Sequence, residues 1–261
     1  MKQVTTNTLA AAVALALMTP LAGPAMAAGF TNDAKASLQL RNLYFNRDFR
    51  STPAASASKA EEWAQGFIFR AESGYTPGAI GFGLDVYGAT GVKLHSEDDT
   101  GGTGLLPSAF GNEGPDSYGH ASATAKAKVS NSVLKIGHLV PAIPIAQASD
   151  IRLLPQTYTG GALSMGEIEH LDVQAGQLRE VSYRASTNRE DIGSTVGGTS
   201  DQFNYLGGTY KLTQSNTTLG LWRGELDNVY EQNLLNLIQS IDLDNWTLGA
   251  NLAYFDTSDN G

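Results

Sequence analysis

Residues 139–161 read Leu139-Val140-Pro141-Ala142-Ile143-Pro144-Ile145-Ala146-Gln147-Ala148-Ser149-Asp150-Ile151-Arg152-Leu153-Leu154-Pro155-Gln156-Thr157-Tyr158-Thr159-Gly160-Gly161. The segment is apolar enough to be buried, yet Pro141, Pro144 and Pro155 remove backbone donors and fix φ, which bars it from a helix interior or a central strand. A long apolar stretch without regular structure is unusual inside a compact domain and points to function. The sequence on either side alternates apolar and polar residues as strands do. A β-barrel with this loop folded into its lumen, where it narrows the passage, accommodates both facts.

At the N-terminus Met1-Lys2-Gln3 is followed by an apolar run from Leu9 to Leu21 and by Ala25-Met26-Ala27. This is the pattern of a secretory signal peptide over residues 1–27, and the run is shorter than the roughly 20 residues of a spanning helix. Residues 28–261 then form the exported domain. There is no cysteine, so neither a disulfide framework nor a thiolate metal site is available. The mean hydropathy is −0.18, and no second long apolar segment follows. In a membrane protein that leaves only a barrel, whose alternating strands never look hydrophobic overall. The formal net charge of −9 argues against a nucleic-acid partner.

Two runs define the faces. In Ile80 to Leu94 the even positions Ile80, Phe82, Leu84 and Val86 are apolar, while Gly81, Gly83, Asp85 and Lys93 share the other face. In Trp246 to Tyr254 the even positions Trp246, Leu248, Ala250, Leu252 and Tyr254 make an apolar stripe with an aromatic at each end, as a lipid-facing strand with interfacial girdles would. The alternative is a soluble sandwich whose apolar face points inward. Connection lengths favour the barrel. Tight turns at 76–78, 130–132, 213–216 and 244–245 alternate with long polar connections at 51–60, 95–119, 139–159 and 186–200, as periplasmic turns and outer loops do. The predicted strands are 38–50, 61–74, 79–94, 120–129, 132–139, 160–166, 169–184, 202–212, 217–228, 231–243 and 246–257. Eleven is an odd number and the final residues read as a connection, so the expectation is a barrel incomplete at its C-terminus, with unpaired edges and no pore of its own.

With Leu40-Arg41-Asn42-Leu43-Tyr44-Phe45-Asn46-Arg47-Asp48-Phe49, Trp63-Ala64-Gln65-Gly66-Phe67 and Gly81-Phe82-Gly83-Leu84-Asp85, the chain resembles the OprD family of substrate-specific outer-membrane porins. The likeness continues through Gly91-Val92-Lys93-Leu94, Thr103-Gly104-Leu105-Leu106-Pro107, Arg152-Leu153-Leu154-Pro155-Gln156-Thr157 and Glu225-Leu226-Asp227-Asn228-Val229-Tyr230. The resemblance implies an eighteen-stranded transmembrane antiparallel β-barrel of a Gram-negative outer membrane, an inward-folded third loop, and a ladder of arginines and lysines for a permeant carboxylate. It implies passive uptake of small organic acids or amino acids, with aromatic and other organic acids favoured by Ala148-Ser149-Asp150-Ile151-Arg152. It also implies contact with outer-membrane lipid, lipopolysaccharide and the barrel assembly machinery, as a homotrimer or a monomer. The alternatives are a basic amino acid or peptide porin of the same family, and a structural or adhesive barrel without selective transport.

Strand parity identifies lumen-facing charge independently of the family. Arg41 and Arg47 share one face of the first strand, and Arg70 and Glu72 lie opposite Phe67 and Phe69 on the second. Lys126 and Lys128 lie opposite Ala123, Ala125 and Ala127 on the fourth; Lys135 and Lys211 follow on the fifth and eighth. Inward cations raise the local concentration of anions and offer successive sites to a carboxylate. An arginine fork binds a carboxylate with two hydrogen bonds, whereas lysine acts as a point charge. By family position Arg47 and Arg152 are ladder members and Lys59 lies near another. Ser149 and Asp150 are candidates to hold a permeant's amino or hydroxyl group, or to cap a turn. The acidic run in 95–102 lacks EF-hand spacing, and neither a phosphate loop nor a nucleophile elbow is present. No enzyme activity, cofactor or metal is expected.

Overall fold

The computed structural model describes residues 27–49, 58–109, 111–195, 197–213 and 215–261. The predicted signal peptide, apart from its last residue, and most of the predicted 51–60 connection lie outside the described residues. A one-turn helix, Ala27–Phe30, precedes the strands. These are β1 (Lys35–Asp48), β2 (Lys59–Glu72), β3 (Gly81–His95), β4 (Ser117–Val129), β5 (Ser132–Leu139), β6 (Ala142–Ile143), β7 (Ala146–Gln147), β8 (Thr157–Ile168), β9 (Leu171–Ser182), β10 (Ile192–Gly193), β11 (Thr199–Ser200), β12 (Phe203–Leu212), β13 (Thr217–Leu226), β14 (Tyr230–Leu243) and β15 (Trp246–Asp259).

Eleven of them form one antiparallel sheet in the order β1-β2-β3-β4-β5-β8-β9-β12-β13-β14-β15, each strand beside its neighbour in sequence, with β1 and β15 at the edges. The eleven strands expected from alternation are these eleven. The pairs β6-β7 and β10-β11 are two-residue hairpins that sequence periodicity cannot reveal. The 139–161 segment is less irregular than expected, because Leu139 closes β5 and Thr157–Gly161 opens β8. Its prolines all fall between, with Pro144 in the β6-β7 turn.

Turns lie where the sequence placed them. Ser130, Asn216 and Asp244 take left-handed φ of 50°, 47° and 40° at the β4-β5, β12-β13 and β14-β15 connections, and His170 takes 65° at β8-β9. Small polar residues tolerate this region because their side chains bond locally. Gln214, within the third of the predicted turns, lies outside the described residues. On the opposite end the connections are long, with one departure: β13 and β14 are joined by Asp227-Asn228-Val229 alone.

The two faces are chemically distinct. Leu38, Leu40, Phe67, Phe82, Val86, Leu206, Leu221, Leu235, Leu248 and Leu252 stand exposed on the outer face, with Tyr44, Trp63, Trp246 and Tyr254 toward its margins. A sandwich would have turned this face inward, so the apolar parity settles which alternative holds. The inner face is covered instead by connections. Leu153 and Leu154, from the proline-rich loop, are 0% and 1% exposed and pack with Ile68, Ala64, Ala89, Tyr87 and Tyr118 of the wall. Farther along, Ile143 and Ile145 lie against Phe203, Tyr205, Trp222 and Leu234.

Two features fix this arrangement. Gly66 and Gly91 face each other across β2 and β3, and they make a floor without side chains beneath Leu153. A Cβ on Gly66 would sit 3.1 Å from Leu153 Cγ, and one on Gly91 3.0 Å from its Cδ2. The second is Glu62, which is fully buried and turned inward from β2. It accepts hydrogen bonds from the Thr103 amide at 3.1 Å, the Ser108 hydroxyl at 2.6 Å and the Thr103 hydroxyl. The 96–116 connection is thereby drawn inside as well, with Leu105 and Leu106 each 1% exposed; the sequence had suggested an outer loop there.

Gly66→Val therefore overpacks the floor by about 1–3 kcal/mol, and the 140–156 segment becomes cleavable by added protease while the strands stay protected. Glu62→Ala strands three donors at about 1–3 kcal/mol in total or more; cleavage within 101–112 should accelerate roughly tenfold or more, and Glu62→Gln should recover part of the protection.

Candidate functional site

Alternation along β1 puts Arg41, Leu43, Phe45 and Arg47 on the inner face, opposite Gly66, Ala64, Glu62 and Ala60 of β2. Phe45 is the organising ring. The Arg47 Cζ lies 6.0 Å from its centroid and the Arg152 Cζ, from the folded-in loop, 5.0 Å, within reach of cation–π attraction. Arg152 is further held by its Nε donating to the Thr103 carbonyl at 3.3 Å. These groups and Arg184 border a cavity of about 350 Å³ floored by Gly102, Thr103 and Gly104. Burial first, and then the neighbouring Arg152, pull the Arg184 guanidinium below its ordinary value, since desolvation and a nearby like charge both disfavour the charged form. Among the described residues no carboxylate lies within ion-pair distance of Arg47, Arg152 or Arg184.

Farther toward the short turns, Arg41 is differently placed. Its Nη1 lies 2.5 Å from Asp150 Oδ1 and its Nη2 2.8 Å from Asp150 Oδ2, a two-toothed pair, and Nη1 also donates to the Arg152 carbonyl at 3.2 Å. Ser149 contributes its backbone: its carbonyl accepts from the Gln156 amide at 2.8 Å and its amide donates to Gln156 Oε1 at 3.2 Å, closing the loop on itself.

Beyond the loop lies a second cavity of about 240 Å³, lined by Arg70, Glu72, Asp85, Tyr87, Thr124, Lys135, His138 and Val140. Arg70 lies 5.7 Å from the Tyr87 ring centroid, and Tyr87 stacks on His138 at 4.1 Å. Lys126, buried to 8% exposure, is not free: its Nζ is 2.5 Å from Asp85 Oδ1 and donates to the Ser73 carbonyl at 2.7 Å. Lys128 sits 5.7 Å from the Tyr75 ring. Lys93 is neutralised by Glu113 at 2.5 Å and Asp116 at 2.9 Å.

The structure thus gathers Arg47 and Arg152 into one cavity, sets Arg41 with Asp150 between the cavities, and places Arg70 in the other. Lys126 and Lys128 flank Tyr75 near the short turns. Lys59 is the exception. It stands on the outward parity of β2, beside Ala60 at 2% exposure on the inward one, and pairs with Glu61 at 2.7 Å. Its proximity to a family position across a loop of different length misdirected that expectation. Sequence reading passed over Phe45, which the odd parity of 41–47 could have supplied, and Arg184, the last residue of the predicted 169–184 strand, which the structure leaves two residues beyond the end of β9.

The chain matches the model described as outer membrane porin, OprD family, over residues 28–261. It is 43% identical over 250 residues to the porin-like protein GalP of Pseudomonas putida, covering 95% of this chain and 60% of that protein. The crystal structure of Pseudomonas aeruginosa OccK9 (OpdG) superposes with a TM-score of 0.85 at 44% identity, over 89% of this chain and 60% of the other. That of Pseudomonas aeruginosa OpdK with vanillate gives 0.81 at 44% identity, over 89% and 59%. The chain therefore spans about three fifths of the length of these relatives. The chain belongs to the OprD family of outer membrane porins.

Proposed function

We propose that the protein is a substrate-selective channel for passive uptake of small carboxylate-bearing molecules, aromatic and other organic acids above all. The observation that carries this is the cavity lined by Arg47, Arg152 and Arg184, the first two against the Phe45 ring, with no carboxylate among the described residues within ion-pair distance of them. Three uncompensated guanidiniums in a confined site attract an anion, and their forks favour a carboxylate. The Phe45 ring offers a flat apolar surface to an aromatic body, which an aliphatic acid uses less fully. Two inward loops narrow the route, so that a solute passes close to these groups. The solved relative that carries vanillate, an aromatic carboxylate, lends support to this class. Residues 1–27 serve in this reading as the export signal and 28–261 as barrel wall, assembled by the barrel insertion machinery among lipid and lipopolysaccharide. The work is binding and release; no covalent step is involved.

Planar-bilayer recording on the gene's complete product tests the reading. Benzoate should reduce and saturate the ionic current, and Arg47→Ala and Arg152→Ala should each raise the half-saturating concentration about tenfold, as expected for loss of one charge-assisted contact. Lys59→Ala should leave it unchanged, and benzyl alcohol, which lacks the carboxylate, should have no effect on any of the four proteins. A large current indifferent to benzoate and to both arginine substitutions would mean a general pore.

A further inference from the structure

Arg41 occupies the stretch of wall between the two cavities and lines neither. It shares its face of β1 with Arg47 on one side, while Arg70 lies across from Ser37 on the other. A carboxylate moving along this wall from the arginine cavity to the Arg70 cavity passes Arg41 next. Yet the Arg41 fork is already filled, both teeth, by a carboxylate belonging to the protein. The Arg41 side chain is 16% exposed, whereas Asp150 is 51% exposed, so the acid is the accessible half of the pair. Asp150 lies between the two points at which its loop is clamped, so its backbone is held while its own side chain is not one of the clamps. Leu153 and Leu154 are buried against the wall, and the Ser149–Gln156 bonds close the base of the segment, which leaves the side chain of Asp150 free to rotate away without unseating the loop. Beside the pair, the Tyr87 hydroxyl is buried with no hydrogen-bond partner.

We infer that Asp150 is a built-in competitor for the permeant: its carboxylate holds the Arg41 fork closed and exchanges with a passing carboxylate, which takes its place on Arg41 and is displaced in turn when Asp150 returns. This rests on the carboxylate-channel reading above and specifies how one station in it works. The physical point is that one carboxylate replaces another, so the charge on Arg41 is balanced before and after and no bare ion pair has to be broken in a narrow site. Binding at this station is weakened by the fraction of time Asp150 occupies it, which prevents a strongly attracting guanidinium from becoming a trap. A neutral solute has nothing with which to displace Asp150. The latch therefore adds selectivity for anions beyond that of the cavity above it.

Asp150→Asn and Arg41→Gln, recorded with benzoate in planar bilayers, separate this from a bracing contact, because both break the same ion pair. If Asp150 competes, Asp150→Asn frees the fork, and the half-saturating benzoate concentration falls about three- to tenfold with longer blocked intervals. Arg41→Gln should move it the other way, and Asp150→Glu should restore wild-type behaviour. If the pair only braces the loop, Asp150→Asn and Arg41→Gln change the current alike and shift benzoate binding in the same direction, which would overturn the inference while the Arg47 and Arg152 results stand. Wild-type current insensitive to benzoate would overturn it together with the function it rests on.

Discussion

The passage through this wall is defined by the seating of Leu153 on Gly66 and Gly91. The groups of the folded-in loop refer to that contact: Arg152 reaches Phe45 and the Thr103 carbonyl, and Asp150 reaches Arg41, with the loop standing at that height on β2 and β3. A floor made of backbone has no rotamers, so the loop rests on a surface that does not change with nanosecond side-chain hops. Glu62 supplies the polar counterpart, using one carboxylate to satisfy an amide and two hydroxyls that would otherwise be buried without partners. Apolar and polar clamps on one strand thus hold two successive loops.

Electrostatics divides the wall lengthwise. Near the long connections Arg47, Arg152 and Arg184 have no counter-charge among the described residues; in the middle Arg41 has one that is half exposed; near the short turns Lys126 is tied to Asp85 and buried. The same residue type therefore performs different tasks according to what faces it. A cation with a buried partner braces the wall, and removing one member of such a pair leaves an uncompensated charge. A cation without one attracts solute. Counting basic residues on the inward parity would miss this gradation.

Much of the fold was legible in the sequence because period-two alternation and turn chemistry are local properties. The parity of Ile80–Leu94 and Trp246–Tyr254 assigned the outward face correctly, and the prolines between 139 and 161 marked the inward loop. What was not legible depends on contacts distant in sequence. Thr103-Gly104-Leu105-Leu106 reads as an outer connection until Glu62, some forty residues earlier, is seen to hold it. Arg184 ends the predicted strand 169–184 but lies past the end of β9 at Ser182, in an irregular segment that the Arg152 loop faces only in the folded chain. Lys59 shows another fault: it fell in the predicted 51–60 connection, outside the predicted second strand, so it was placed by a family position across a loop of different length, and only the earlier start of β2 at Lys59 gives it a parity.

One connection breaks the alternation of short and long. Between β13 and β14 only Asp227, Asn228 and Val229 cross on the side where the neighbouring described connections, 96–116 and 183–202, are extended. At that end of the wall it is the shortest of the described connections, so the ends of β13 and β14 there carry no covering loop of their own.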